Sequence, residues 1–288
     1  MRLSGSGASA ATRRSRSRLP STPYSFPEFR ALLDKVEAER IETFAEIETD
    51  FVRAMSAFDH KLVAGELTSG QNQNKGLFLN ELIARLVERC AGFGVAQRGK
   101  RPGILLDQVD VDLCYPQDSH LRPEVIAEVK MAGTPKHPGS EKAGLMGRPA
   151  SADVDKRIRE IALNVIDLKL ADVQGGKMAI GDITSWIQET RPRFFALFGM
   201  RVIDDNDQRK VVERFQKLGN SYANGVGLAL FGPTNPSTAE GRITYKAIPP
   251  PGGMSIDDTI KRMCRLIKSA AGKPRKEIPP DQLSPTKR

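Results

Sequence analysis

Apolar and polar positions follow two rhythms along this chain, and the changes between them mark out its elements. From Phe26 to about Leu67 the apolar residues recur at three- and four-residue steps: Phe29, Leu32, Leu33 and Val36, then Ile41, Phe44, Ile47, Phe51, Met55 and Phe58. That period predicts amphipathic helices. After a polar break, TSGQNQNK at 68–75, it returns over 76–90, with Leu79, Leu82, Ile83, Leu86 and Val87 as the apolar face. A short β-like run at 93–97 then leads into Arg98-Gly99-Lys100-Arg101-Pro102-Gly103, read as a basic turn.

Beyond Gly103 the period becomes two. Side chains of a strand alternate between faces, so from Val109 onward Asp110, Asp112 and Cys114 are expected on one side and Val109, Val111 and Leu113 on the other. The run EVIAEVK at 124–130, bounded by Pro123 and Gly133, is too short for a buried helix and reads as a second strand. In it Glu128 and Lys130 share a side with Ile126, while Ala127 and Val129 share the other. The polar connection at 116–123 has the length and the turn residues to join antiparallel strands, which sets Asp110 and Asp112 beside Glu128 and Lys130.

A loop from Ala132 to about Ala152 follows, then a helix over 153–172, a buried strand over 193–202, a helix over 211–218, a strand over 225–231 and a closing helix over 256–270. The order helix, strands, helix, strand, helix, strand is an αβββαβ arrangement. It predicts an α/β fold with a mixed central sheet flanked by helices. The expected organisation is a disordered basic tail over 1–22, a helical segment over 23–70 packed on the core, a core domain over 71–270 and a second basic tail over 271–288.

The acids of the two strands carry the chemistry. Carboxylates crowded in a strand core repel one another and lose hydration, so they persist there mainly when a cation compensates them. Oxygen-only ligands suit magnesium, with manganese as a substitute, rather than zinc. Such an ion polarises a phosphoryl oxygen and lowers the pKa of a bound water, and Lys130 is placed to orient that water or to neutralise charge on phosphorus.

Asp112 followed by Glu128-Val129-Lys130 resembles the acidic residue and Glu-x-Lys of the PD-(D/E)XK nuclease superfamily, which includes many type II restriction endonucleases. The resemblance spans roughly 75–231, and the Pro-Asp dipeptide that leads the family pattern is absent. It implies catalytic roles for Asp112, Glu128 and Lys130, a magnesium site formed by Asp112, Glu128, Asp110 and Glu81, and cleavage of double-stranded DNA at a specific sequence. Glu81 enters because the family's preceding helix often donates a carboxylate, and strand register decides among Asp107, Asp110 and Asp112 as the main ligand. The resemblance also implies a homodimer and a cognate DNA methyltransferase encoded nearby. Glu-x-Lys alone is unspecific: an acid two residues before a lysine occurs three times in this chain, at Asp59, Glu128 and Asp167. Only Glu128 lies in a predicted strand with an acidic strand before it. A structure-specific repair or defence nuclease and a non-catalytic DNA-binding protein with a nuclease-like fold are the alternative readings.

Composition agrees with a polyanionic partner. The net charge is +9, much of it in the terminal segments. Candidate phosphate or base contacts are Arg98, Lys100 and Arg101 in the basic turn, Lys136, Lys142 and Arg148 in the long loop, and Asn220 and Asn224 before the strand at 225. No apolar run approaches the length of a membrane span. The three cysteines, Cys90, Cys114 and Cys264, have no paired spacing and suit the reduced cytoplasm, and the three histidines form no zinc cluster.

Overall fold

The computed structural model describes residues 25–138, 140, 146–172, 183–234 and 243–278. The expected tail over 1–22 and residues 279–288 lie outside these. One six-stranded sheet, ordered β1 (Ala96–Arg101), β2 (Val109–Tyr115), β3 (Val125–Ala132), β4 (Arg193–Arg201), β5 (Gly225–Pro233) and β6 (Tyr245–Ile248), runs through the molecule. β3, β4 and β5 are parallel; the other neighbours pair antiparallel. The run RFFALFGMR of β4 is almost wholly buried because helices cover both faces of the central parallel strands. The fold is therefore the mixed α/β sheet flanked by helices that the alternation predicts.

Helices α1 (Pro27–Ala38), α2 (Glu48–Val63), α3 (Gln73–Ala91) and α7 (Ile256–Ala271) share one hydrophobic cluster with Val125, Ala127, Val129, Phe195 and Leu197 of the sheet. Helices α4 (Ser151–Asp172), α5 (Ile183–Glu189) and α6 (Asp205–Ser221) contribute to the cluster on the other face, with Ile126, Phe194, Ala196 and Phe198. Local signals set the helix ends. Asp204 and Ser255 cap α6 and α7 by accepting from Asp207 N (2.7 Å) and Asp258 N (3.0 Å), and Gly92 closes α3 at a φ of 75°.

The structure departs from the sequence reading in four places. The basic run 98–101 belongs to β1 rather than to a turn, because an edge strand can keep Arg98 and Lys100 in water while its backbone pairs with β2 and Arg101 turns inward. α5 and β6 were not predicted; at seven and four residues they are too short to display a period. Residues 272–278, expected in a disordered tail, lie against the β2–β3 connection: Leu121 pairs with Glu277, Ile278 is buried, and the Arg275 guanidinium stacks 5.5 Å from the Tyr115 ring. Finally, Cys114 packs in the same cluster as Val109 and Val111, while Leu113 and Tyr115 pack on the opposite face. The side-to-side alternation of β2 thus switches at Asp112.

A buried polar chain ties the amino-terminal helices to the sheet. Lys75 Nζ donates to Asp59 Oδ1 (2.9 Å), Tyr245 Oη donates to Asp59 Oδ2 (2.8 Å), and Arg201 Nε donates to Tyr245 Oη (2.8 Å). Arg201 Nη2 continues to the carbonyl of Met146 (3.1 Å). No helix among the described residues is long and apolar enough to cross a membrane.

Candidate active site

The switch in β2 builds the site. β2 and β3 are in register from Tyr115↔Val125 to Leu113↔Ala127, and one step further the Asp112 carboxylate enters the gap between them. Its Oδ2 accepts the backbone N–H of Val129 at 2.9 Å, the bond a neighbouring strand's carbonyl would otherwise receive. From the facing side of the pair, Lys130 Nζ donates to Asp112 Oδ2 and lies 2.7 Å from Glu128 Oε2. Asp112, Glu128 and Lys130 are thereby brought together. Glu128 and Lys130 share their face with Ile126, as the alternation predicts.

Two asparagines complete the arrangement, and the sequence reading had singled out neither. Asn164 of α4 donates to Glu128 Oε1 at 3.2 Å, so each oxygen of that carboxylate has a donor. Asn80 of α3 donates to the Asp112 carbonyl at 3.2 Å and fixes the backbone of β2. Both sit among apolar neighbours, Asn80 beside Leu79 and Asn164 beside Val165, and a polar residue next to a core stripe was the available signal.

Exposure rises in order across the site: the Glu128 side chain is 6% exposed, that of Asp112 20% and that of Lys130 31%. Burial, reinforced by the nearby Asp112 charge and only partly offset by Lys130, pushes the Glu128 carboxyl up to about 7. Burial works against the Lys130 ammonium, but Glu128 and Asp112 together outweigh it and hold the group above its ordinary value. Two carboxylates and one ammonium thus share a largely buried place.

The remaining predicted ligands stand elsewhere. Asp110 is exposed opposite Lys100 in the β1–β2 ladder, and because Val109 and Val111 face the α4 side it projects from the other face. Its expected position beside Glu128 assumed unbroken alternation. Glu81 accepts from Arg85 Nε (3.0 Å), and Arg85 Nη1 donates to the Leu33 carbonyl (2.9 Å) and so joins α3 to α1. Asp107 is exposed in the β1–β2 connection. Among the described residues no three His, Cys, Asp or Glu side chains are grouped to hold a metal. Two carboxylates nonetheless fit magnesium, which retains several waters and takes one or two carboxylates together with substrate phosphate oxygens.

Of the candidate DNA contacts, Arg98, Lys100, Lys136, Arg148 and Asn220 are exposed, with Arg148 paired to Asp153 at 2.6 Å. Arg101 is not available to a phosphate: it is 2% exposed, with Nη1 donating to the Lys100 carbonyl and Nη2 to that of Pro116. Asn224 uses its amide internally, accepting from Phe194 N (2.8 Å) and donating to the Gln188 carbonyl (2.7 Å), which links α5 to β4. Lys142 lies outside the described residues. No protein-family model, curated protein or solved structure matches this chain.

Proposed function

We propose that this chain is a magnesium-dependent endonuclease of the type II restriction class, hydrolysing phosphodiester bonds of double-stranded DNA at a specific sequence. The observation that carries the reading is the convergence of Asp112, Glu128 and Lys130 where β2 and β3 part, with the lysine outermost. Asp112 and Glu128 are the residues that would hold the ion. Bound there, magnesium supplies Lewis-acid polarisation of a phosphoryl oxygen and a more acidic water. Lys130, the most exposed of the three, neutralises charge developing on phosphorus or orients the attacking water. Asn164 keeps the Glu128 carboxylate in one orientation, and Asn80 keeps Asp112 in the gap.

The net charge of +9 supports a polyanionic substrate, and the unpaired cysteines Cys90, Cys114 and Cys264 suit the cytoplasm. Cutting both strands requires two sites, and hence a homodimer. A cognate methyltransferase, encoded nearby, would protect host DNA.

Incubating the purified protein with plasmid DNA and magnesium tests the reading. Discrete fragments with uniform ends are expected, and Glu128→Ala or Lys130→Ala should slow cleavage by about a hundredfold or more with an unchanged circular-dichroism spectrum. Full activity in either variant sinks the assignment. Branch-specific nicks would instead indicate a structure-specific nuclease, and salt-sensitive binding without nicks a non-catalytic DNA-binding protein.

A further inference from the structure

The β1–β2 connection presents Ile104, Leu105 and Leu106 to solvent at 43%, 63% and 40% exposure. Three consecutive exposed apolar residues are an anomaly in a soluble fold unless something binds them. These are also held still. The Asp167 carboxylate of α4, itself fully buried, accepts the backbone N–H groups of Ile104 (2.6 Å), Leu105 (2.6 Å) and Leu106 (3.1 Å). Gly103 makes the approach possible, since a Cβ there would lie 2.2 Å from Asp167 Oδ2. The same stretch of α4 exposes Leu163 at 46% and sends Asn164 to Glu128. Asn164 and Asp167 are three residues apart, about 4.5 Å along the helix axis. The apolar tip is therefore anchored within one helical turn of the candidate site.

We propose that Ile104, Leu105 and Leu106 form a wedge that inserts between base pairs of bound duplex DNA. This rests on the nuclease reading. The helix that anchors the loop through Asp167 also reaches Glu128 through Asn164, so a duplex whose phosphodiester meets Lys130 would lie close to the loop. Arg98, exposed on the strand leading into the loop, supplies a cation for a flanking phosphate. Stiffness distinguishes a wedge from a merely adhesive patch: separating stacked bases requires apolar side chains on a backbone that does not yield, and Asp167 provides it.

Insertion unwinds DNA, so its signature does not depend on knowing the recognition sequence. Relaxed plasmid is incubated in EDTA with the full-length protein and a metal-independent type I topoisomerase, and the linking number is read after protein removal. The wild type should shift the topoisomer distribution. Changing Ile104, Leu105 and Leu106 together to serine should abolish the shift and weaken duplex binding about tenfold, and Leu105→Ser alone, at the most exposed position, should reduce it with an unchanged melting curve. A wild-type enzyme that cuts plasmid in magnesium yet leaves the linking number unchanged overturns the wedge alone. Failure to cut at all overturns the nuclease reading beneath it. A triple variant that shifts topoisomers like the wild type but sediments as a smaller species overturns the wedge and assigns the patch to self-association.

Discussion

Glu128 is the residue whose environment asks most of it. Its carboxyl titrates near 7 in the folded chain against 4.5 ordinarily, so between those values the folded state holds a proton that the unfolded state has released. Stability from this group is present at low pH and is lost as pH rises through 7, a difference on the order of 3 kcal/mol at full ionisation. In EDTA, Glu128→Gln should accordingly match the wild type in Tm near pH 5 and exceed it by several degrees near pH 8, measured by calorimetry. A gap that does not change with pH would show that burial does not raise this carboxyl. Glu128 and Lys130 were legible because a two-residue period puts them on one face. Asn164 was not, since a single asparagine in a helix points to a partner only when the opposing strand is known.

At the scale of the element, α4 and β2 show where pattern reading stops. The direction of β2 side chains reverses at Asp112 because that carboxylate captures Val129 N, a contact between strands that periodicity within one strand does not contain. Asp110 was misplaced for that reason. The sequence also has three acids two residues before a lysine, and all three are structurally demanding. Glu128 is in the site, Asp59 pairs with Lys75, and Asp167 pins the β1–β2 connection. Asp167→Ala should cost about 3 kcal/mol in urea unfolding, because three partly buried amides lose their acceptor, and should speed hydrogen exchange at 104–106. Asp167→Asn keeps one carbonyl acceptor and should cost less.

For the molecule as a whole, the order of helices and strands was legible because long elements carry strong periods, and the central parallel strands are largely apolar apart from Glu128, Lys130 and the arginines at the ends of β4. The relation of the amino-terminal helices to the sheet was not, since it depends on polar partners far apart in sequence. α1, α2 and α3 share one cluster with the sheet, so the molecule should unfold in a single transition. Asp59→Ala strands the buried Lys75 ammonium and removes an acceptor from Tyr245; a loss of roughly 3–5 kcal/mol is expected, read by urea unfolding. The same chain bears on descent. Any one of Asp59, Lys75, Arg201 and Tyr245 altered alone leaves a buried group without its partner, while an apolar replacement of the set need not. In diverging lineages these four positions are therefore expected to be inherited or exchanged together, as a linked allele spread across α2, α3, β4 and β6.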